Sequence, residues 1–233
     1  MADALAFRGV SAGYGETVVL EDVDLTLARG ESVSVIGRNG VGKSTLLATV
    51  MGHTTLHKGE VVLAGRSLDR VPVYRRATLG LGFVPQEREI FPSLTVRENL
   101  DVGLRTGPWT KERVFELFPR LQERLDNKGN QLSGGEQQML SISRALLTNP
   151  SVLLMDEPTE GLAPVLVEAL AAVLVSLRDS ELSIILVEQN SRVALDFSPR
   201  TIVMDKGRIV YDGDSATLRA DQERLAQLIG ITE

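Results

Sequence analysis

The octapeptide GRNGVGKS, Gly37 to Ser44, constrains this chain more than any other stretch. It fits G-x-x-x-x-G-K-[ST], and it lies between the β-rich run ESVSVI and the helix-forming run STLLATVM. That context predicts strand, loop and helix in succession, with the helix opening near Lys43 and closing at Gly52. Gly37, Gly40 and Gly42 let the backbone curl around an anion without Cβ clashes. The loop N–H groups and the helix N-terminus then face phosphate oxygens. Lys43 supplies a compact positive charge for β- and γ-phosphates, and the Ser44 hydroxyl can ligate Mg²⁺. Asn39 within the loop and Thr45 just after it complete the candidate nucleotide contacts.

Two further segments carry chemistry that fits a phosphate loop. SVLLMDEP ends a continuous apolar run with Asp156 and Glu157. At the carboxyl end of a buried parallel strand, Asp156 can face a metal beside Ser44. Glu157, one residue on, is placed to orient or deprotonate a water attacking the γ-phosphate. NQLSGGEQQML has Ser133 and Glu136 at capping-box spacing, which opens the helix that follows. Capping does not explain Gly134 and Gly135, each costing roughly 1 kcal/mol in a helix relative to alanine. Two glycines there make sense if an anion must approach the backbone closely. One chain thus presents two phosphate-binding helix ends, as expected if two such chains complete each other's sites.

The remainder of the chain supports an α/β core interrupted by a mostly helical segment. ALAFRGV, TVVL, VDLTL and ESVSVIG read as short strands, followed by GEVVLAG and GLGFVPQ. Between about Glu87 and Leu147, TVRENLDVGL, KERVFELFPRLQERL and EQQMLSISRALL carry helical periodicity. PSVLLMDEP and SIILVEQ read as strands buried on both faces, and TIVMDKGRIVYDG as a hairpin. The tail, with Leu218, Leu225, Leu228 and Ile229, predicts one last amphipathic helix on the core and leaves no room for a further regulatory domain. Composition excludes several classes. The net charge of −6 offers no bulk basic field for nucleic acid, and the absence of cysteine rules out disulfides and thiolate chemistry. Asp3 and Arg8 interrupt any signal-peptide run. LAPVLVEALAAVLVSL is broken by Pro164 and Glu168 and falls short of the roughly 20 apolar residues of a membrane span.

The set GRNGVGKS, VPQ, LSGGEQ and LLMDEP, in that order and spacing, resembles the ATP-binding subunit of ABC transporters over essentially the whole chain. The resemblance implies a P-loop NTPase (ABC ATPase) core with an N-terminal antiparallel β subdomain and an inserted helical subdomain. It also implies one domain over 1–233, with 1–86 and 148–233 as the α/β core and 87–147 as the helical part. It further implies ATP and Mg²⁺, sandwiched in a head-to-tail dimer between one chain's phosphate loop and the other's Ser133, Gly134, Gly135 and Glu136. By the same resemblance Tyr14 stacks on adenine, and Gln86 senses Mg²⁺ and the attacking water. The expected partners are transmembrane permease subunits and a second ATP-binding subunit or a second copy of this chain. A periplasmic binding protein enters only indirectly, and the expected location is peripheral, on the cytoplasmic side of the inner membrane. Ile90, Phe91 and Pro92 form an apolar cluster where the family receives a cytoplasmic helix of the permease; local packing is the other reading, and both can hold.

IFPSLTVREN, GLAP and LVEQN resemble the shorter ATP-binding subunit of branched-chain amino acid importers. DEPTEG and REIFP also resemble the branch that imports urea and short amides, and a nucleotide-dependent clamp without transport is a third reading. Two positions depart from the family. Gln189 stands where most members have a histidine at the γ-phosphate, and Ala163 where an aspartate is usual. A glutamine amide still donates a hydrogen bond to phosphate but cannot become cationic. The expectation is that hydrolysis leans on Glu157 and Mg²⁺, with Gln189 as a neutral γ-phosphate sensor.

Overall fold

The computed structural model describes residues 3–230. The chain opens with strands β1 (Asp3–Tyr14), β2 (Thr17–Ala28) and β3 (Ser32–Ile36), then helix α1 (Lys43–Met51). Strands β4 (Thr55–Leu63) and β5 (Arg66–Ser67), helix α2 (Val73–Arg76) and strand β6 (Leu81–Val84) follow. Next come helices α3 (Val96–Gly103), α4 (Lys111–Leu117), α5 (Pro119–Glu123) and α6 (Gly134–Leu147). The second half alternates: β7 (Val152–Asp156), α7 (Pro164–Arg178), β8 (Ser183–Val187), α8 (Ser191–Phe197), β9 (Arg200–Asp205) and β10 (Arg208–Asp214). Helices α9 (Ser215–Ala220) and α10 (Gln222–Leu228) close it.

Two sheets result. One is four-stranded and antiparallel, in the order β2-β1-β4-β5. The other is six-stranded, in the order β10-β9-β3-β8-β7-β6, parallel except for the β9–β10 hairpin. Every residue of β3, β7 and β8 is buried, which explains their unbroken apolar runs. Successive side chains serve opposite faces. Leu154, Ile185 and Val187 join Phe7, Leu20 and Leu47 in the core under the antiparallel sheet. Leu153, Met155, Ile184 and Leu186 join Leu100, Leu140, Leu146 and Leu174 in the core under the helices. Each such fully buried aliphatic side chain contributes roughly 1.5–3 kcal/mol.

Several elements differ from the sequence expectation. TVVL and VDLTL are one strand, β2, which bends at Asp22 in the left-handed region (φ 51°) instead of ending there. KERVFELFPRLQERL is two short helices, because Pro119 starts a new helix after Phe118 leaves helical geometry. The tail is also two helices. Asp221 (φ −106°, ψ 78°) breaks the run, and its side chain accepts from the Arg224 N–H to cap α10. Leu218 and Leu225 still reach a common core with Leu195 and Val203, and Leu228 and Ile229 pack against it. Among the described residues, no helix is long and apolar enough to cross a membrane.

Candidate nucleotide site

The phosphate loop joins the end of β3 to α1 at the carboxyl edge of the parallel sheet, where α/β proteins bind ligands. Two of its glycines are required by geometry. Gly37 has φ 152°, and a Cβ there would lie 2.4 Å from the Met204 carbonyl oxygen. Gly42 caps α1 at φ 106°, a conformation L residues rarely adopt, and its carbonyl accepts the Leu46 N–H at 2.9 Å. No acidic residue occupies the first turn of α1, so its positive pole stays available to an anion.

Lys43 is 4% exposed, and its Nζ donates to the carbonyls of Gly37 (3.0 Å) and Arg38 (3.1 Å). The same Nζ lies 3.2 Å from Oε1 of Glu157, which is 7% exposed. Glu157 follows β7 directly and adopts φ 44°, and its N–H donates to the Val187 carbonyl at 2.9 Å. Beside this pair, the Ser44 hydroxyl donates to Oδ1 of Asp156 at 3.1 Å. Burial raises the Asp156 carboxyl to about 6, the Ser44 hydrogen bond opposes that rise, and the Glu157 charge adds to it. Asn39, Gly40, Gly42, Lys43, Ser44, Thr45, Gln86 and Glu157 line one cavity of about 330 Å³.

The remaining candidates sit around this centre. Gln86, exposed just after β6, donates through its side-chain amide to a carboxylate oxygen of Glu160. Tyr14 is 53% exposed at the β1–β2 turn and does not line the phosphate cavity. Gln189 is exposed after β8. It lines a neighbouring cavity on the other flank of the loop, with Gly37, Arg38, Asn39 and Ser191. Ser133 caps α6: its Oγ accepts the Glu136 N–H (3.3 Å) and Glu136 accepts the Ser133 N–H (2.8 Å), a complete capping box. Ser133 and Glu136 line a separate groove with Val165 and Leu166, away from the phosphate cavity of the same chain. The two glycines between them also have a packing reason. A Cβ at Gly135 would lie 2.5 Å from Leu166, and one at Gly134 would lie 3.0 Å from the Arg88 guanidinium.

The family model described as "ABC transporter" matches residues 20–160, more than half of the 233-residue chain. The chain belongs to the ABC transporter family. This ABC ATPase is 40% identical over 235 residues to the high-affinity branched-chain amino acid transport ATP-binding protein BraG of Pseudomonas aeruginosa, covering 97% of this chain and 100% of BraG. It is 36% identical to the probable branched-chain amino acid transport ATP-binding protein LivF of Archaeoglobus fulgidus, covering 96% and 98% of the two chains. Identity to the lipopolysaccharide export system ATP-binding protein LptB of Haemophilus influenzae is 33%, over 94% of each. Among solved structures, the dimeric post-hydrolysis cassette MJ0796 bound to ADP and Pi superposes with a TM-score of 0.77 at 27% identity, covering 91% of this chain and 98% of that one.

Sequence reasoning missed two contacts of this ABC ATPase. Glu160, the partner of Gln86, lies 74 residues from it, and no local pattern announces the pairing. Glu188 is 1% exposed at the end of β8 and accepts from both the N–H (3.1 Å) and the hydroxyl (3.0 Å) of Thr159. A charged residue closing the apolar run SIILV was the available signal. Ala163, the second departure from the family pattern, caps α7 without a side-chain hydrogen bond. Phe91 is 43% exposed under the Arg144 guanidinium, 4.9 Å from the ring centroid, while Ile90 packs against the helical core.

Proposed function

We propose that this ABC ATPase drives an importer for branched-chain or related amino acids, as the shorter of two ATP-binding subunits on a membrane permease. The 40% identity to BraG, over 97% of this chain and all of BraG, carries the reading. In it the subunit sits on the cytoplasmic face of the inner membrane, held by permease subunits at the Ile90–Pro92 cluster.

The residues fit MgATP. A glycine-lined anion cradle, a buried lysine and two converging oxygens, Ser44 Oγ and Asp156 Oδ1, match the few protein ligands Mg²⁺ takes when phosphates supply others. Ser44 and Asp156, with Gln86, would hold the metal, which would neutralise charge on the phosphate oxygens. Lys43 exchanges its carbonyl partners for those oxygens. Glu157 takes a proton from the water whose oxygen bonds to the γ-phosphorus as the bond to the ADP oxygen breaks. Gln189 donates a neutral hydrogen bond to the γ-phosphate, and Tyr14 stacks on adenine. Ser133, Gly134, Gly135 and Glu136 face the nucleotide of the other chain, so ATP binding drives dimerisation. The dimeric MJ0796 cassette bound to ADP and Pi supports a dimer as the working form.

The test is co-purification from membranes with a permease and a second ATP-binding subunit, followed by reconstitution in vesicles. ATP turnover should rise when a binding protein loaded with a branched-chain amino acid is added. A second reading, export of a lipid-linked substrate, takes support from the 33% identity to LptB. Recovery of export-type membrane subunits, with no response to any amino-acid binding protein, would favour it.

A further inference from the structure

The loop that carries Glu157 is strained, and the end of β8 holds it at two points. Glu157 holds a left-handed φ of 44°, a conformation that costs a non-glycine residue about 1–3 kcal/mol and persists only where its surroundings impose it. Within the loop the Glu160 N–H donates to the Glu157 carbonyl (3.0 Å) and the Leu162 N–H to the Thr159 carbonyl (3.3 Å). These bonds shape the turn but do not tie it to the sheet. The tie at its start is the Glu157 N–H on the Val187 carbonyl, 2.9 Å. The tie two residues on is Thr159, whose N–H and hydroxyl both donate to the Glu188 carboxylate. Val187 and Glu188 are consecutive, so the end of β8 grips the turn at two points.

We infer that Glu188 is a positioning residue for Glu157, clamping Thr159 so that the Glu157 carboxylate stays in the phosphate cavity. The inference rests on the reading of Glu157 as the base. The two neighbouring carboxylates are not interchangeable. Glu157 lines the cavity beside Lys43, whereas Glu188 is buried, lines no part of that cavity, and has both oxygens occupied by Thr159. Glu188 therefore cannot meet the attacking water and acts through the loop. A carboxyl group suits the task because its two oxygens accept a backbone N–H and a hydroxyl at once.

Five variants, each checked for folding by thermal unfolding, test this through ATP affinity and single-turnover hydrolysis. Glu188→Ala should slow the chemical step by on the order of a hundredfold, as small misplacements of reacting groups do, with ATP affinity within about threefold of wild type. Glu188→Gln, which still accepts the Thr159 N–H, should restore most of the rate. Thr159→Val, which keeps the N–H and loses the hydroxyl, should fall between and keeps the inference open to refutation if Glu188→Ala does not fold. In a Glu157→Gln background, adding Glu188→Ala should slow the residual rate no further. Wild-type rates in folded Glu188→Ala or in Thr159→Val would overturn the inference, as would multiplicative effects in the double variant. Wild-type turnover in Glu157→Gln alone would instead remove the base assignment, which separates the two failures.

Discussion

Lys43 Nζ and Glu157 Oε1 lie 3.2 Å apart, joining the phosphate loop to the end of β7 across 114 residues of sequence (157 − 43). Both side chains are buried, and the lysine also holds two loop carbonyls. Loop shape and candidate base are thereby coupled through one ammonium group.

Removing one partner of a buried ion pair leaves the other uncompensated, at a cost of about 3–5 kcal/mol. Lys43→Met should destabilise the nucleotide-free protein by roughly that amount, and Lys43→Met with Glu157→Gln should recover most of it. Urea unfolding of the two variants measures this. Equal midpoints for wild type and Lys43→Met would mean the pair contributes nothing.

Ser44→Ala removes the hydroxyl that donates to Asp156 and stands where Mg²⁺ would bind. The gain in ATP affinity on adding Mg²⁺ should shrink by roughly tenfold to a hundredfold, the worth of one charge-assisted contact. Affinity for ATP in excess chelator should change little. Titration calorimetry under both conditions decides it, and an unchanged Mg²⁺ response would remove Ser44 from the metal site.

Gln189 lies on the Arg38 side of the loop, in a different cavity from Glu157. As a neutral sensor it should tolerate Gln189→His with a change in turnover of no more than about tenfold, the scale of one hydrogen bond. The substitution should not rescue Glu157→Gln. Complete loss of hydrolysis in Gln189→His would contradict a sensor role.

Glu188 carries a signature in stability. Burial raises its carboxyl from the ordinary glutamate value to about 7, against the hydrogen bonds from Thr159 and Asn190 and with the Glu157 charge adding to the rise. A raised acid binds its proton more tightly folded than unfolded. Its contribution is therefore full below the unfolded value of 4.5 and is lost as pH rises toward 7. The loss is on the order of 3 kcal/mol, since each tenfold gain in proton affinity on folding is worth about 1.4 kcal/mol. Glu188→Gln lacks this titration. Its stability relative to wild type should improve between pH 4.5 and 7 and then level off, as read from denaturant midpoints across that range. A pH-independent difference would mean that Glu188 does not titrate in this window.

The parts of the site legible in the sequence are those encoded within a few residues. Gly37 to Ser44 carries its loop, Ser133 and Glu136 their capping box, and LLMDE and SIILV their burial on both faces. What escaped was set by distant contacts or by single backbone angles. The Gln86–Glu160 and Thr159–Glu188 pairs join loops that only the sheet order β8-β7-β6 brings together. Asp22 reads as a turn residue, yet the sheet absorbs its left-handed angle as a bend within one strand. Asp221 was invisible as a break because Leu218 and Leu225 keep helical spacing across it. Gly134 and Gly135 invited an anion-binding explanation alone, and the crowding by Leu166 and Arg88 emerged only from the packing.

The most direct test of the whole account is ATP hydrolysis by Glu157→Gln beside its ATP affinity. The variant keeps the side-chain shape, removes the proton acceptor and frees Lys43 from its ion pair. Turnover should fall by roughly 10²- to 10⁴-fold, the range expected for loss of a general base, while MgATP binding is kept or strengthened. Turnover near wild type, or a loss of ATP affinity large enough to explain the lost rate, would contradict it.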